Sequence, residues 1–322
     1  MHPIRIESLA EELLTHRQVA AIVNLKRHAT DLTQALLDQT NDADSIIHLS
    51  TSMCAAHRTV VLDTIRRRLN DELPLRLVST QCIEAGVDVD FPALYRAFAP
   101  LDSIAQAAGR CNRNGTQPTS EVVVFQLEDP EHRAQHPPGY GEGIEATKIL
   151  IEELRRNSPK VLPDVINDPA QFRSYFRRLY SLTGRDRRAS SGEQSLVDAV
   201  VATDFRAVAE KYRLINQDVV NVLVPFKSKS DPDVYDKRLR EATETGRMTP
   251  RAIRRWQAMA GPHSVSVYRD ILQKEASQLL PISFGRSDNE LGTERIDWWY
   301  LQDESSYDDR FGLRFQEQAW VV

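Results

Sequence analysis

Between Gln18 and Leu127 short apolar runs alternate with segments whose apolar residues recur at helical spacing, and few folds accommodate that alternation. QVAAIVN (18–24), DSIIHLS (44–50), PLRLVST (74–80), ALYRAFA (93–99) and EVVVFQL (121–127) read as strands. Helices are expected over 26–39, over 57–69 with Val60, Val61, Ile65 and Leu69 on one face, and over 102–113 with Asp102 or Ser103 as cap. Strand and helix in strict succession make repeated βαβ units, so the fold class expected is α/β, a parallel sheet with flanking helices.

The segment 128–143 holds three prolines and three glycines and reads as the end of the sheet domain. The expected division is 1–127 for the sheet domain, 128–190 for a helical connector and 191–322 for a smaller α+β C-terminal domain. The connector has helices near 144–157 and 169–182, then a polar linker, TGRDRRASSGEQS (183–195). In the last third a helix is expected near 195–213, a strand at 219–226, helices over 233–258, a strand at 264–270, and a hairpin-like region around DWWYLQ and RFGLRFQ. In QFRSYFRRLY, residues Phe172, Tyr175, Phe176, Leu179 and Tyr180 fall at helical spacing and read as a packing face.

Charge and cysteine content narrow the class. A net charge of -5 argues against a general nucleic-acid coat but allows one basic groove. Three widely spaced cysteines, Cys54, Cys82 and Cys111, form neither a disulfide framework nor a CxxC zinc site. With no apolar run of signal-peptide or membrane-span length, a cytoplasmic location without membrane contact is expected.

Three segments carry the chemistry. In QAAGRCNRNG (106–115), a continuous helix would put Gln106, Arg110 and Arg113 on one face at i, i+4 and i+7, and two guanidiniums aimed together suit a triphosphate. A solvated charged helix face is the plain alternative. In VSTQCIEAGVDVDF (78–91) a strand ends in hydroxyls that can hold a nucleic-acid phosphate, Thr80 among them, and a turn at Gly86 leads to Asp88 and Asp90. Asp88 suits a ribose hydroxyl or an arginine, whereas Asp90 reads as solvated. In HLSTSMCAAHR (48–58), Ser50, Thr51 and Ser52 follow a strand at the edge where open α/β sheets bind ligands. His57 opens the next helix and reads as structural.

In their order and spacing, QVAAIVN, HLSTSM, STQCIEAGVDVDF and QAAGRCNRNG resemble the second RecA-like domain of superfamily 2 helicases. More narrowly, they resemble the CRISPR-associated helicase-nuclease of type I systems, and SVSVYRD resembles its type I-C branch. The resemblance is specific over 18–127 and weaker beyond. It implies that Asn24, Ser50, Thr51 and Thr80 contact single-stranded DNA. It also implies that Gly86, Asp88, Gln106, Arg110 and Arg113 complete an ATP site across a cleft, with Arg113, ahead of Arg110, as arginine finger. The implied partners are single-stranded DNA, an N-terminal helicase and nuclease half, and an RNA-guided effector complex.

A GxxxxGK[ST] loop and a magnesium-holding acidic box do not occur in the sequence, and its eight histidines are scattered. The chain is therefore expected to share ATP with another motor domain that carries the magnesium, to bind no metal, and to lack ATPase or nuclease activity alone. It is expected to begin near the linker between two motor domains. A non-catalytic subunit that docks on DNA or an effector complex, or the remnant of an inactivated gene, are the competing readings.

Overall fold

The computed structural model describes residues 3–84, 86–113, 115, 120–128, 136–157, 165–183, 196–211, 218–227, 232–244, 246–269, 272, 278–285 and 297–315. It forms two compact units, the first of 1–99, 103–138 and 219–322 and the second of 100–102 and 139–218. Packing thus joins the last hundred residues to the sheet domain, which the sequence reading had set apart.

The first unit is built on β1 (Gln18–Ile22), β2 (Ile46–Leu49), β3 (Leu75–Ser79), β4 (Ala93–Ala97) and β5 (Glu121–Phe125). These form one parallel sheet in the order β2-β3-β1-β4-β5, with Ala20 facing Leu77 on one side and Leu94 on the other. Strand side chains alternate between faces. Val19, Ala21 and Val23 join Tyr95, Ala97 and Phe125 under α1 (Ile6–Leu14) and α2 (Lys26–Asp38). Ala20 and Ile22 join Leu75, Leu77 and Leu94 beneath Ile65 of α3 (Ala55–Asn70) and Ala107 of α4 (Leu101–Ala108). Because both faces are covered, the strands are nearly continuous apolar runs, which is why they were legible. Helix α1 was not foreseen, and Val60, expected on the apolar face of α3, is exposed.

A second sheet of the same unit, in the order β7-β6-β9-β8, combines β6 (Val219–Leu223), β7 (Ser264–Tyr268), β8 (Leu279–Pro281) and β9 (Trp298–Leu301). The hairpin-like region expected around DWWYLQ and RFGLRFQ forms in part, as one short antiparallel pair. Trp298–Leu301 pairs with β6 and β8, while Gly312–Leu313 of RFGLRFQ pairs antiparallel with the preceding Tyr307–Asp308. Val220, Val222 and Val267 then have edges and faces to fill, and they share a core with Cys54, Tyr307 and Leu313. Gly312, at φ +79°, lies against the Ser52 backbone, where a Cβ would stand 2.4 Å from the carbonyl oxygen, and the Leu313 N–H donates to that oxygen at 2.8 Å.

The second unit pairs α5 (Gly141–Asn157) with the helix Pro169–Thr183. Of the expected packing face, Tyr175 is buried and Phe172 and Leu179 half-buried, but Phe176 and Tyr180 are exposed and stack on each other at 6.1 Å. Residues 184–195 of the expected linker lie outside the described residues. Among the described residues no helix is long and apolar enough to cross a membrane.

Candidate functional site

Parallel strands point their C-terminal ends at one edge, and three of the four DNA-contact candidates turn inward there. Asn24, just past β1, is buried: its Nδ2 donates to the Phe98 carbonyl at 2.8 Å and its Oδ1 accepts from Arg96 Nη1 at 2.7 Å. Both ends of the amide are thereby used inside the protein. Ser50 is also buried and bonds to His48 Nε2 at 2.9 Å. Thr80 is buried with its hydroxyl toward Cys82 Sγ. Thr51 alone of the four is exposed.

The chain over 50–57 is held from behind by Tyr307 and Phe226 from the last third of the chain. Cys54 N–H donates to the Tyr307 hydroxyl at 3.1 Å, His57 Nδ1 lies 2.9 Å from the same oxygen, and the His57 ring stacks on Phe226 at 4.4 Å. His57 is structural, as its sequence context implied. Lys26, at the start of α2, was missed by sequence reasoning: burial, reinforced by the Arg58 charge, pulls its ammonium down to about 8.

Burial likewise pulls His48 down to about 4, so it is neutral at pH 7. With Thr33 donating to the Ala29 carbonyl, a neutral imidazole protonated at Nδ1 can donate to Thr33 Oγ1 and accept from Ser50. The folded form resists a proton that the unfolded chain takes up below its ordinary value near 6.5. This contribution is therefore complete above about pH 6.5 and is lost as pH falls toward 4. Urea unfolding should show a loss of about 3 kcal/mol attributable to this group between those limits, and His48→Gln should flatten the slope accordingly. An unchanged slope in the variant would contradict the assignment.

The nucleotide candidates converge on a different surface. After β3 the chain runs through a single turn at Gln81–Ile83, passes Gly86 at φ +73°, and returns along the sheet face with Val87, Val89 and Phe91 buried and Asp88 exposed. The expected helix over 102–113 stops at Ala108. Arg110 N–H and Cys111 N–H reach back only three residues, to the Ala107 and Ala108 carbonyls, and Asn112 turns the chain at φ +50°. Phe91 and Cys111 bridge as parallel neighbours, and this pairing overrides helix propensity. Gln106, Arg110 and Arg113 consequently do not share a helical face.

A loop nevertheless brings the acids and arginines together. Arg113 Nη1 meets Asp88 Oδ1 at 2.7 Å, and the Arg113 amide donates to Asp90 Oδ1 at 2.8 Å, so Asp90 is a turn anchor. The two paired side chains are 48% and 89% exposed, and such surface pairs hold by only about 0–1 kcal/mol. Arg113 can leave Asp88 for a stronger anion at little cost. Arg110 is half-buried and donates through Nη2 to the Glu84 carbonyl at 2.9 Å, and Gln106 stands exposed on α4. Glu84 pairs in turn with Arg96, whose side chain is fully buried, at 2.9 Å. Sequence reasoning passed over this pair, although an arginine within ALYRAFA was its visible sign.

Residues 15–116 match the family model described as CRISPR-associated nuclease/helicase Cas3, C-terminal. Over these residues, roughly a third of the chain, the sequence resembles the C-terminal region of Cas3 nuclease/helicases. The Cas3 nuclease/helicase of Haloferax volcanii is 32% identical over 208 residues, which make up 58% of this chain and 20% of that protein. The crystal structure of T. fusca Cas3 with ATP superposes at a TM-score of 0.55 and 19% identity, covering 97% of this chain and 41% of that one. A chain of a CRISPR RNA-guided surveillance complex in a pre-nicking state does so at 0.54 and 18%, covering 96% and 42%. The chain thus spans a fifth of this curated Cas3 relative and about two fifths of the solved Cas3 chains, and at these identities the superpositions show the Cas3 fold.

Proposed function

We propose that this chain is the C-terminal motor half of an ATP-dependent single-stranded DNA translocase in CRISPR antiviral defence, working beside an N-terminal helicase and nuclease half and an RNA-guided effector complex. The observation that carries the reading is Arg113: an exposed guanidinium on a loop pinned by Asp90 and held, among the described residues, by a surface pair with Asp88. The donor set fits a triphosphate. Arg113 would neutralise charge on the transferring phosphoryl group, with Gln106 and the exposed backbone at Gly86 beside the nucleotide. Arg110, already committed to the Glu84 carbonyl, would order the loop. Phosphate loop and magnesium would come from the other half. Thr51, exposed at the strand edge, is the DNA-backbone contact favoured over Asn24, Ser50 and Thr80, and support for an effector-complex partner comes from the likeness to a chain of a surveillance complex.

The chain alone should hydrolyse no ATP, and hydrolysis that rises with single-stranded DNA should appear when a phosphate-loop half from a relative is added. Salt-dependent DNA binding without ATPase from any such partner would instead establish a non-catalytic binding subunit.

A further inference from the structure

We infer that Arg96 is a positioning residue for the arginine loop: through its buried pair with Glu84 it fixes the carbonyl that anchors Arg110 and hence the segment presenting Arg113. The inference rests on the function proposed above for that loop. Arg96 occupies a central strand covered on both faces and has no exposed surface, an environment that disfavours an unpaired charge. Its fork is spread over several segments. Nε meets Glu84 Oε1 at 2.9 Å, while Nη1 donates to Asn24 Oδ1 at 2.7 Å and to the Ala97 carbonyl at 2.9 Å. Asn24 passes the constraint to the Phe98 carbonyl through its own amide, and Gln81 Nε2 ties the turn before Glu84 back to the Asn24 carbonyl at 2.9 Å.

Glu84 is the junction. Its carboxylate faces Arg96 inside the sheet, and its backbone carbonyl accepts from Arg110 Nη2 at 2.9 Å on the other side. Arg110 in turn is strapped to Phe91, whose N–H donates to the Arg110 carbonyl, and three residues further on Arg113 meets Asp88 and Asp90. An apolar pair could fill the same space but would not dictate where the Glu84 carbonyl points. Replacing a buried ion pair by apolar groups of similar volume is often neutral for stability, so the role assigned to this pair is the arrangement it specifies, the approach of two arginines.

The test pairs Glu84→Gln with Arg96→Met, removing both charges while keeping side-chain volume. Hydrogen exchange on the intact chain reads the geometry without reference to ATP: amides of 109–113 should exchange about tenfold faster while those of β1 and β3 keep their protection. In the reconstituted motor, kcat should fall about tenfold with KM for ATP within about twofold. Arg96→Lys, which keeps the charge and loses the fork, should fall between. Should the double variant not fold, Glu84→Gln alone is measured in the same way. Unchanged exchange over 109–113, acceleration spread evenly through the domain, or wild-type kcat in a folded variant each overturns the inference. If the wild-type pair shows no ATPase, the motor reading fails, and the exchange result still decides the role of Arg96.

Discussion

In a motor reconstituted from this chain and a phosphate-loop half, Arg113→Ala lowers kcat for ATP hydrolysis by about a thousandfold or more. The expectation follows from where the guanidinium sits. Its partner Asp88 is almost fully exposed, so the pair is screened and weak, and removing it costs the fold about 0.5 kcal/mol or less. An arginine that contributes so little to stability while being placed by a backbone anchor, the Asp90 carboxylate on its amide, is free to act on an incoming anion. Steady-state ATPase at saturating DNA measures the loss, and fluorescence anisotropy with a labelled single strand should show DNA affinity changed by no more than about twofold. Near wild-type turnover in the variant would remove Arg113 from the reaction.

Arg96→Ala has the opposite profile. Truncation removes the arginine from a Glu84 carboxylate at 5% side-chain exposure and takes the Arg96 donor from Asn24 Oδ1 and the Ala97 carbonyl. Breaking a buried pair from one side costs about 3–5 kcal/mol, a large share of the stability of an ordinary domain. Urea unfolding of the intact chain, followed by far-ultraviolet circular dichroism, should show a corresponding drop in midpoint. A loss of about 1 kcal/mol or less would mean that water reaches the pair and that the network is not buried as described.

The contrast between these two arginines marks what could be read from sequence. The five parallel strands were legible to within two residues of each end because buried parallel strands are apolar runs. Arg96 interrupts one such run, so its oddity was visible, but its partner Glu84 precedes it by a turn and a return segment whose path only the folded chain defines. The arginine motif shows the same limit. Spacing placed Gln106, Arg110 and Arg113 on one helical face, whereas the Phe91–Cys111 bridge and the left-handed Asn112 end the helix early and a loop does the gathering. Position along the chain puts Asn24, Ser50, Thr51 and Thr80 just past their strands but could not show which way each side chain turns. Three of them face inward, toward Arg96, His48 and Cys82. The docking of Tyr307 on Cys54 and His57 joins residues about 250 apart, beyond any local pattern.

The most direct measurement is a structure of the reconstituted motor with ADP, magnesium and aluminium fluoride, which mimics the transferring phosphoryl group. The Arg113 guanidinium should lie about 3 Å from a fluoride, released from Asp88, with Arg110 still on the Glu84 carbonyl. An Arg113 that stays paired with Asp88, with the fluoride beyond its reach, would contradict the role proposed for this arginine.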